Sequence, residues 1–246
     1  MSARSRSLLS ILYLDDDLVV VNKPPGLASV PARGETEAVS DMLRIQPELG
    51  ANPAVRTVHR LDRDASGVLV FARTLRAQRD LVAQFAARRV EKVYLALVSG
   101  YVAGDGEVNL PLIYHRRQNR VQVTAAGGKA SVTRYRVVQR VAGHTLLECR
   151  PLTGRRHQIR AHLAAIGHPL AVDPLYGGGT ALFLSSFKAD YRHSTRHPER
   201  PLIARLTLHA ARLTVRHPGT GEPVSFEAPV PKDLRATLNQ LAKLAT

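Results

Sequence analysis

The stretch Val121–Leu152, VQVTAAGGKASVTRYRVVQRVAGHTLLECRPL, decides the fold class. Apolar and polar residues alternate along most of it, the period of strands with one buried face. Gly127-Gly128 and Gly143 interrupt the alternation and read as turns, so strand follows strand. The next residues, TGRRHQIRAHLAAIGHP (153–169), read as a helix. Thr153 is placed to cap a helix over Arg155 to Ile166, Gly167 stands at the C′ position, and Pro169 lies just beyond. Strands that succeed one another without long helices between them exclude a doubly wound parallel sheet. They predict a mixed, largely antiparallel α+β fold with flanking helices.

The rest of the chain agrees. Ile11 to Leu14 and Leu18 to Asn22 flank Asp15, Asp16 and Asp17, a hairpin pattern, and Asn22-Lys23-Pro24-Pro25-Gly26 breaks it. A helix is expected over Thr36 to Ile45, and a short apolar strand over Val68 to Phe71. Thr74 then caps a helix over Leu75 to Arg88, with Leu75, Val82 and Phe85 on one side. Val90 to Val98 and Leu206 to Val215 read as strands, and Leu234 to Leu244 as a final helix.

Composition narrows the classes of function. Of 246 residues, 44% are hydrophobic and 22% charged, ordinary for a globular protein. The lone Cys149 excludes an internal disulfide and any multi-cysteine metal site, and suits a reducing compartment. No apolar run reaches the roughly 18 residues of a membrane span. Two arginines precede the short apolar stretch near the start, but the three aspartates end it and no small-residue cleavage site follows. A cytoplasmic protein is expected. The net charge is +15, of which residues 124–246 carry +11. Among the 35 basic residues 29 are Arg, whose planar fork suits phosphates and stacks on bases. A nucleic-acid partner is the first hypothesis, and an Arg-biased composition the plain alternative.

Several chemistries fall away. Gly127-Gly128-Lys129-Ala130 is no phosphate loop, because Val123 stands where the first Gly is needed and Ala130 where Ser or Thr is. Ser66-Gly67 lacks the flanking glycine of a nucleophile elbow. His157 and His162 are five residues apart, about 140° around a helix, and cannot share a metal from one face. Two dense segments remain. In His59-Arg60-Leu61-Asp62-Arg63-Asp64-Ala65-Ser66-Gly67, Asp62 sits among cations, ahead of an apolar strand. In Thr153 to His162, Arg156 and Arg160 share a helical face. Taken alone, either segment also fits a solvated surface cluster.

Together these segments resemble the RluA-type RNA pseudouridine synthases. The resemblance rests on His59 to Arg63 with Ser66-Gly67, on Glu91-Lys92-Val93-Tyr94-Leu95-Ala96, and on Thr153 to His162 with the continuation Gly167 to Gly177. It also takes in Asn22 to Gly26, Leu208-His209-Ala210 and the run from His217 through Leu234. It spans about residues 11–235 and implies that 1–246 form a single catalytic domain of the pseudouridine synthase fold. The family pattern begins by about Ile11, so the S4-type RNA-binding domain of many relatives is not expected here. Ala65 departs from the family's usual Thr, which removes a local hydroxyl.

The resemblance implies isomerisation of uridine to pseudouridine in rRNA or tRNA, without cofactor or metal. Asp62 becomes the catalytic carboxylate, as nucleophile or base, Tyr94 the residue packed against the uracil, and Arg160 the cation paired with the carboxylate. Arg60 matches a position whose side chain enters the space left by a flipped base, and His59, Arg63, Arg155, Arg156 and His157 become the RNA-facing residues around them. A monomer is expected. A non-catalytic RNA-binding protein on the same fold is the alternative, against which the presence of Asp62, Tyr94 and Arg160 weighs.

Overall fold

A computed structural model describes residues 9–31, 37–51, 53–192 and 194–245. The elements run β1 (Ser10–Leu14), β2 (Leu18–Lys23), α1 (Val39–Arg44), β3 (Arg56–Thr57), β4 (Ser66–Ala72), α2 (Leu75–Ala86), β5 (Glu91–Ser99) and β6 (Gly106–Asn109). They continue through β7 (Leu112–His115), β8 (Arg120–Val123), β9 (Val132–Val141), β10 (His144–Pro151) and α3 (Gln158–Ala165). The last are β11 (Leu208–Arg216), β12 (Pro223–Glu227) and α4 (Lys232–Ala242). The architecture is mixed α+β, and the strand pairs β1–β2, β2–β4, β5–β10, β9–β10 and β6–β9 are all antiparallel. The chain divides into two compact units, Met1–Val90 with Arg212–Pro229, and Glu91–Ala211 with Val230–Thr246. No helix among the described residues is long and apolar enough to cross a membrane.

In the first unit β1 and β2 form the expected hairpin. Oδ1 of Asp15 accepts from the backbone N–H of Asp17 at 2.9 Å and of Leu18 at 2.7 Å, closing the turn. Burial opposes the charge on this carboxylate, but hydrogen bonds from Leu18, Tyr13, Asp17 and His217 outweigh it and hold the pKa below its ordinary value. Register along β2 and β4 runs from Leu18↔Ala72 to Lys23↔Gly67, and β4 is buried throughout. Its core is Leu18, Val20, Val68 and Val70 with Ala77 and Leu81 of α2.

Thr74 caps α2 as expected, accepting from the N–H of Ala77 at 3.1 Å. Of the stripe predicted for this helix only Phe85 packs against the core. Leu75 and Val82 are 46% and 44% exposed, and the buried residues are Ala77, Leu81 and Gln84. Gln84 earns its place inside by acting as a length of strand. Its Nε2 donates to the carbonyl of Arg216 at 2.8 Å and its Oε1 accepts from the N–H of Arg216 at 2.9 Å. The helix expected over Thr36 to Ile45 is present as α1; Thr36 itself and the residues 1–8 of the leader-like start lie outside the described residues.

In the second unit the strand order is β5-β10-β9-β6, with β7 and β8 as a separate hairpin. The stretch Val121–Leu152 resolves into β8, β9 and β10, with Gly143 in the turn between the last two. Register between β5 and β10 runs from His144↔Ser99 to Cys149↔Tyr94. A cluster of Leu97, Val141, Ala171, Val172, Leu234 and Leu241 packs α4 against this sheet.

The predicted helix of Arg155 to Ile166 starts three residues late, at Gln158. Thr153 does not cap it. Its hydroxyl accepts from Val132 N–H at 3.1 Å and donates to Oε1 of Gln158 at 2.7 Å, and that same oxygen accepts from Arg155 N–H at 3.0 Å. The long Gln side chain thus satisfies the orphan donor that a helical turn would otherwise have left open. His157, in the left-handed region at φ 49°, then sets the start of α3. The other end follows expectation. Gly167 at φ +83° lets His168 N–H reach Leu163 and its own N–H reach Ala164, a Schellman motif.

Candidate active site

The loop His59–Gly67 belongs to the first unit, and backbone-directed bonds hold it on both sides of Asp62. Lys23, the last residue of β2, is 0% exposed. Its Nζ donates to the carbonyls of Pro24 at 2.8 Å, Leu27 at 2.7 Å and Arg63 at 2.7 Å. An ammonium has three donors and no acceptor, so three carbonyls match it one for one. The N–H of Gly26 donates to the same Arg63 carbonyl at 3.0 Å, and Nε of Arg63 donates to the Gly26 carbonyl at 3.2 Å. Ser29 Oγ donates to the carbonyl of Leu61 and accepts from its N–H, both at 3.1 Å. Inside the loop, Ala65 N–H donates to the Asp62 carbonyl at 3.2 Å.

The outcome is an alternation of fates within six residues. Leu61 and Ala65 are buried, Asp62 is half-buried, and Arg60, Arg63 and Asp64 are exposed. His59 is used internally. Its Nε2 accepts from Val70 N–H at 3.1 Å, and the ring stacks on Phe85 with centroids 4.7 Å apart.

Tyr94 and Arg160 belong to the second unit. Half-buried Tyr94 lies on β5 opposite Cys149 of β10. Burial pushes the Cys149 thiol far up, so this cysteine is an inert filler of the sheet. Arg160, on α3, is only 9% exposed. Its Nε and Nη2 donate to the two carboxylate oxygens of Asp173 at 2.7 and 2.9 Å, a two-point fork. Its guanidinium lies 5.0 Å from the ring centroid of Tyr176. The Tyr176 hydroxyl accepts from Val121 N–H at 2.8 Å and faces Nδ1 of His157 at 3.0 Å.

The late start of α3 separates two arginines expected on one face. Arg156 lies ahead of the helix and is exposed, donating to Tyr114 Oη at 3.1 Å and Asn119 Oδ1 at 2.7 Å while stacking over the Tyr114 ring. Arg155 stands half-buried beside it, its backbone N–H on Gln158. His157 and His162 serve different partners. His162 is fully buried between Thr133 Oγ1 at 2.9 Å and the Leu110 carbonyl at 3.0 Å, and burial lowers its pKa despite that carbonyl.

Comparison with known proteins identifies the family. A family model described as RNA pseudouridylate synthase matches residues 17–165, which take in Asp62, Tyr94 and Arg160. The chain belongs to the RNA pseudouridylate synthase family. It is 43% identical over 235 residues to a protein of Xanthomonas campestris named ribosomal large subunit pseudouridine synthase D. That match covers 95% of this chain and 69% of the relative. A Neisseria meningitidis protein of the same name is 40% identical, and the match covers 95% of this chain and 61% of that one. Among solved structures, human RNA pseudouridylate synthase domain containing 1 superposes with a TM-score of 0.72 at 27% identity, covering 96% of this chain and 90% of the other. The mixed, largely antiparallel fold read from the sequence is the fold of this pseudouridine synthase family.

Two residues of the site region escaped the sequence reading. Lys23 sits in the quoted Asn22–Gly26 motif, yet nothing local distinguishes a buried lysine from an exposed one. Asp173 sits in the quoted Gly167–Gly177 run, and the available signal was an acidic residue surrounded by apolar ones, Leu170-Ala171-Val172 before and Pro174-Leu175 after. A carboxylate in such a setting needs a cation.

Proposed function

We propose that this chain isomerises specific uridines of large-subunit ribosomal RNA to pseudouridine. The observation that carries the reading is the mounting of Asp62: a half-buried carboxylate on a loop whose backbone is fastened before and after it. A group that must meet C1′ or C2′ of a ribose at bonding distance gains most from such fixation. In the reaction the C1′–N1 bond breaks, the uracil turns, and C5 bonds to C1′. The C5 hydrogen leaves as a proton and N1 ends protonated, so product and substrate are isomers. Asp62 acts as nucleophile at C1′ or as base at C2′. Tyr94 packs against the uracil, and Arg160 is the cation that serves the carboxylate.

The target uridine leaves its stack at a cost of a few kcal/mol, and exposed Arg60 offsets part of this by filling the vacancy. Arg63, Arg155, Arg156 and His157 border the RNA, His59 supports the loop beside them from within, and the +11 charge of residues 124–246 binds the phosphates. The enzyme works as a cytoplasmic monomer. The test is release of tritium from RNA labelled at uridine C5, comparing ribosomal and transfer RNA. Release from the ribosomal substrate is expected; tight RNA binding without release would establish the binding-protein alternative. Affinity should fall with salt at about 0.7 log units per phosphate contact for each log unit of salt.

A further inference from the structure

Arg160 is held more tightly than a charge donor needs to be. A lysine or an unpinned arginine would supply the same unit charge, yet here the fork is gripped in plane and out of plane. Asp173 takes Nε and Nη2 at 2.7 and 2.9 Å and is itself 0% exposed. The Tyr176 ring lies 5.0 Å from the guanidinium carbon. Asp173 is in turn immobilised by a tight loop. Its N–H donates to the Gly179 carbonyl, its carbonyl accepts from Tyr176 and Gly178 N–H at 3.1 and 2.9 Å, and its Oδ1 accepts from Leu175 N–H at 3.2 Å. The loop closes so closely that a Cβ at Gly178 would collide with the Leu170 carbonyl and the Asp173 nitrogen. Tyr176 is anchored by Val121 N–H and His157 at its hydroxyl.

From this geometry we infer that Asp173, with Tyr176 beneath, is a positioning residue for the reaction: it fixes the plane and direction of the Arg160 guanidinium. The inference rests on the functional reading above. Asp173 touches neither substrate nor reacting atoms; it acts through Arg160 alone. A fork pinned along its Nε–Nη2 edge and covered on one face presents its remaining donors in one direction, which a carboxylate that must keep one orientation through bond cleavage can use.

The test is a double-mutant cycle on the single-turnover rate at saturating enzyme, with wild type, Asp173→Asn, Arg160→Ala and the double variant. Asp173→Asn keeps the size and loses the charge. Its rate should fall roughly ten- to a hundredfold while RNA affinity stays within about twofold. In the Arg160→Ala background the same change should alter the rate by less than about twofold, because the residue through which Asp173 acts is gone. Equal rate losses in both backgrounds would show a merely structural role and overturn the inference. A readout on the wild type guards against a variant that does not fold: the Arg160 Nε–H should give a slowly exchanging resonance in ¹⁵N spectra of the folded protein. Fast exchange there would overturn the inference too. Wild type that releases no tritium defeats the functional reading and this inference with it. Active wild type with an unimpaired Asp173→Asn defeats the inference alone.

Discussion

Two buried cations, one in each unit, are satisfied in opposite ways. Lys23 spends its ammonium on the carbonyls of Pro24, Leu27 and Arg63, three backbone dipoles of which the farthest is 40 residues along the chain from it. Arg160 spends one edge of its fork, Nε and Nη2, on one carboxylate, Asp173. A compact charge with three rotatable donors ties main chain to main chain; a planar fork fixes the direction of a side chain. The first device therefore builds the shape of the Asp62 loop. The second aims a single guanidinium. Removing them should fail differently, one in folding and the other in chemistry.

The largest effect is expected at the residue the Lys23 device supports. Asp62→Asn should lower the single-turnover rate by at least about a thousandfold. The carboxylate is half-buried on a loop and not part of the core, so urea unfolding and RNA affinity should stay near wild type. A variant keeping most of its rate would remove Asp62 from the chemistry. Next comes Lys23→Met, which preserves volume and takes away the one ammonium shared by the carbonyls of Pro24, Leu27 and Arg63, of which only that of Arg63 keeps a second donor, the Gly26 N–H. At about 1–3 kcal/mol for each group left unsatisfied, it should destabilise by roughly 2 kcal/mol or more in urea titrations. A midpoint unchanged from wild type would mean that the loop is held by its other bonds.

Arginine-to-lysine changes sharpen the other half of the comparison. Arg160→Lys keeps the charge but loses the fork, and should slow single turnover about tenfold or more. Arg156→Lys, at an exposed site over Tyr114, should leave that rate unchanged and cost at most about 1 kcal/mol of stability. Equal rate losses would return the two arginines to the same role. The smallest effect concerns His162, held neutral by burial between Thr133 and the Leu110 carbonyl with a pKa below 6.5. The unfolded chain takes up this proton first as pH falls. Stability from the neutral ring is thus complete above about pH 6.5 and is lost on acidification toward the folded pKa, by at most about 1.4 kcal/mol per pH unit. His162→Gln should flatten that part of the stability–pH curve.

What the sequence reveals depends on whether the deciding partner is local. The Asp15 turn, the Thr74 cap and the Gly167 stop are set by atoms within a few residues, and all were legible. The start of α3 was not, because Gln158 reaches back to Arg155 and Thr153 while Thr153 also serves Val132, on another strand. The buried side of α2 was misread for the same reason: Gln84 looks solvent-facing until Arg216 is placed beside it. Asp62, Tyr94 and Arg160 were named through family resemblance. Their supports, Lys23 and Asp173, act through residues that only the fold brings near.

The seating of Lys23 has a practical consequence. All six lysines of the chain lie among described residues, and Lys23 is the one that is wholly enclosed. An amine-acylating reagent can reach Lys129, Lys188, Lys232 and Lys243 on the native surface, but it can modify Lys23 only during excursions that part its nitrogen from the three carbonyls. The rate at which that single amine is acylated is therefore a built-in clock for transient opening of the loop that carries Asp62. It can be read by mass spectrometry with no label introduced into the protein.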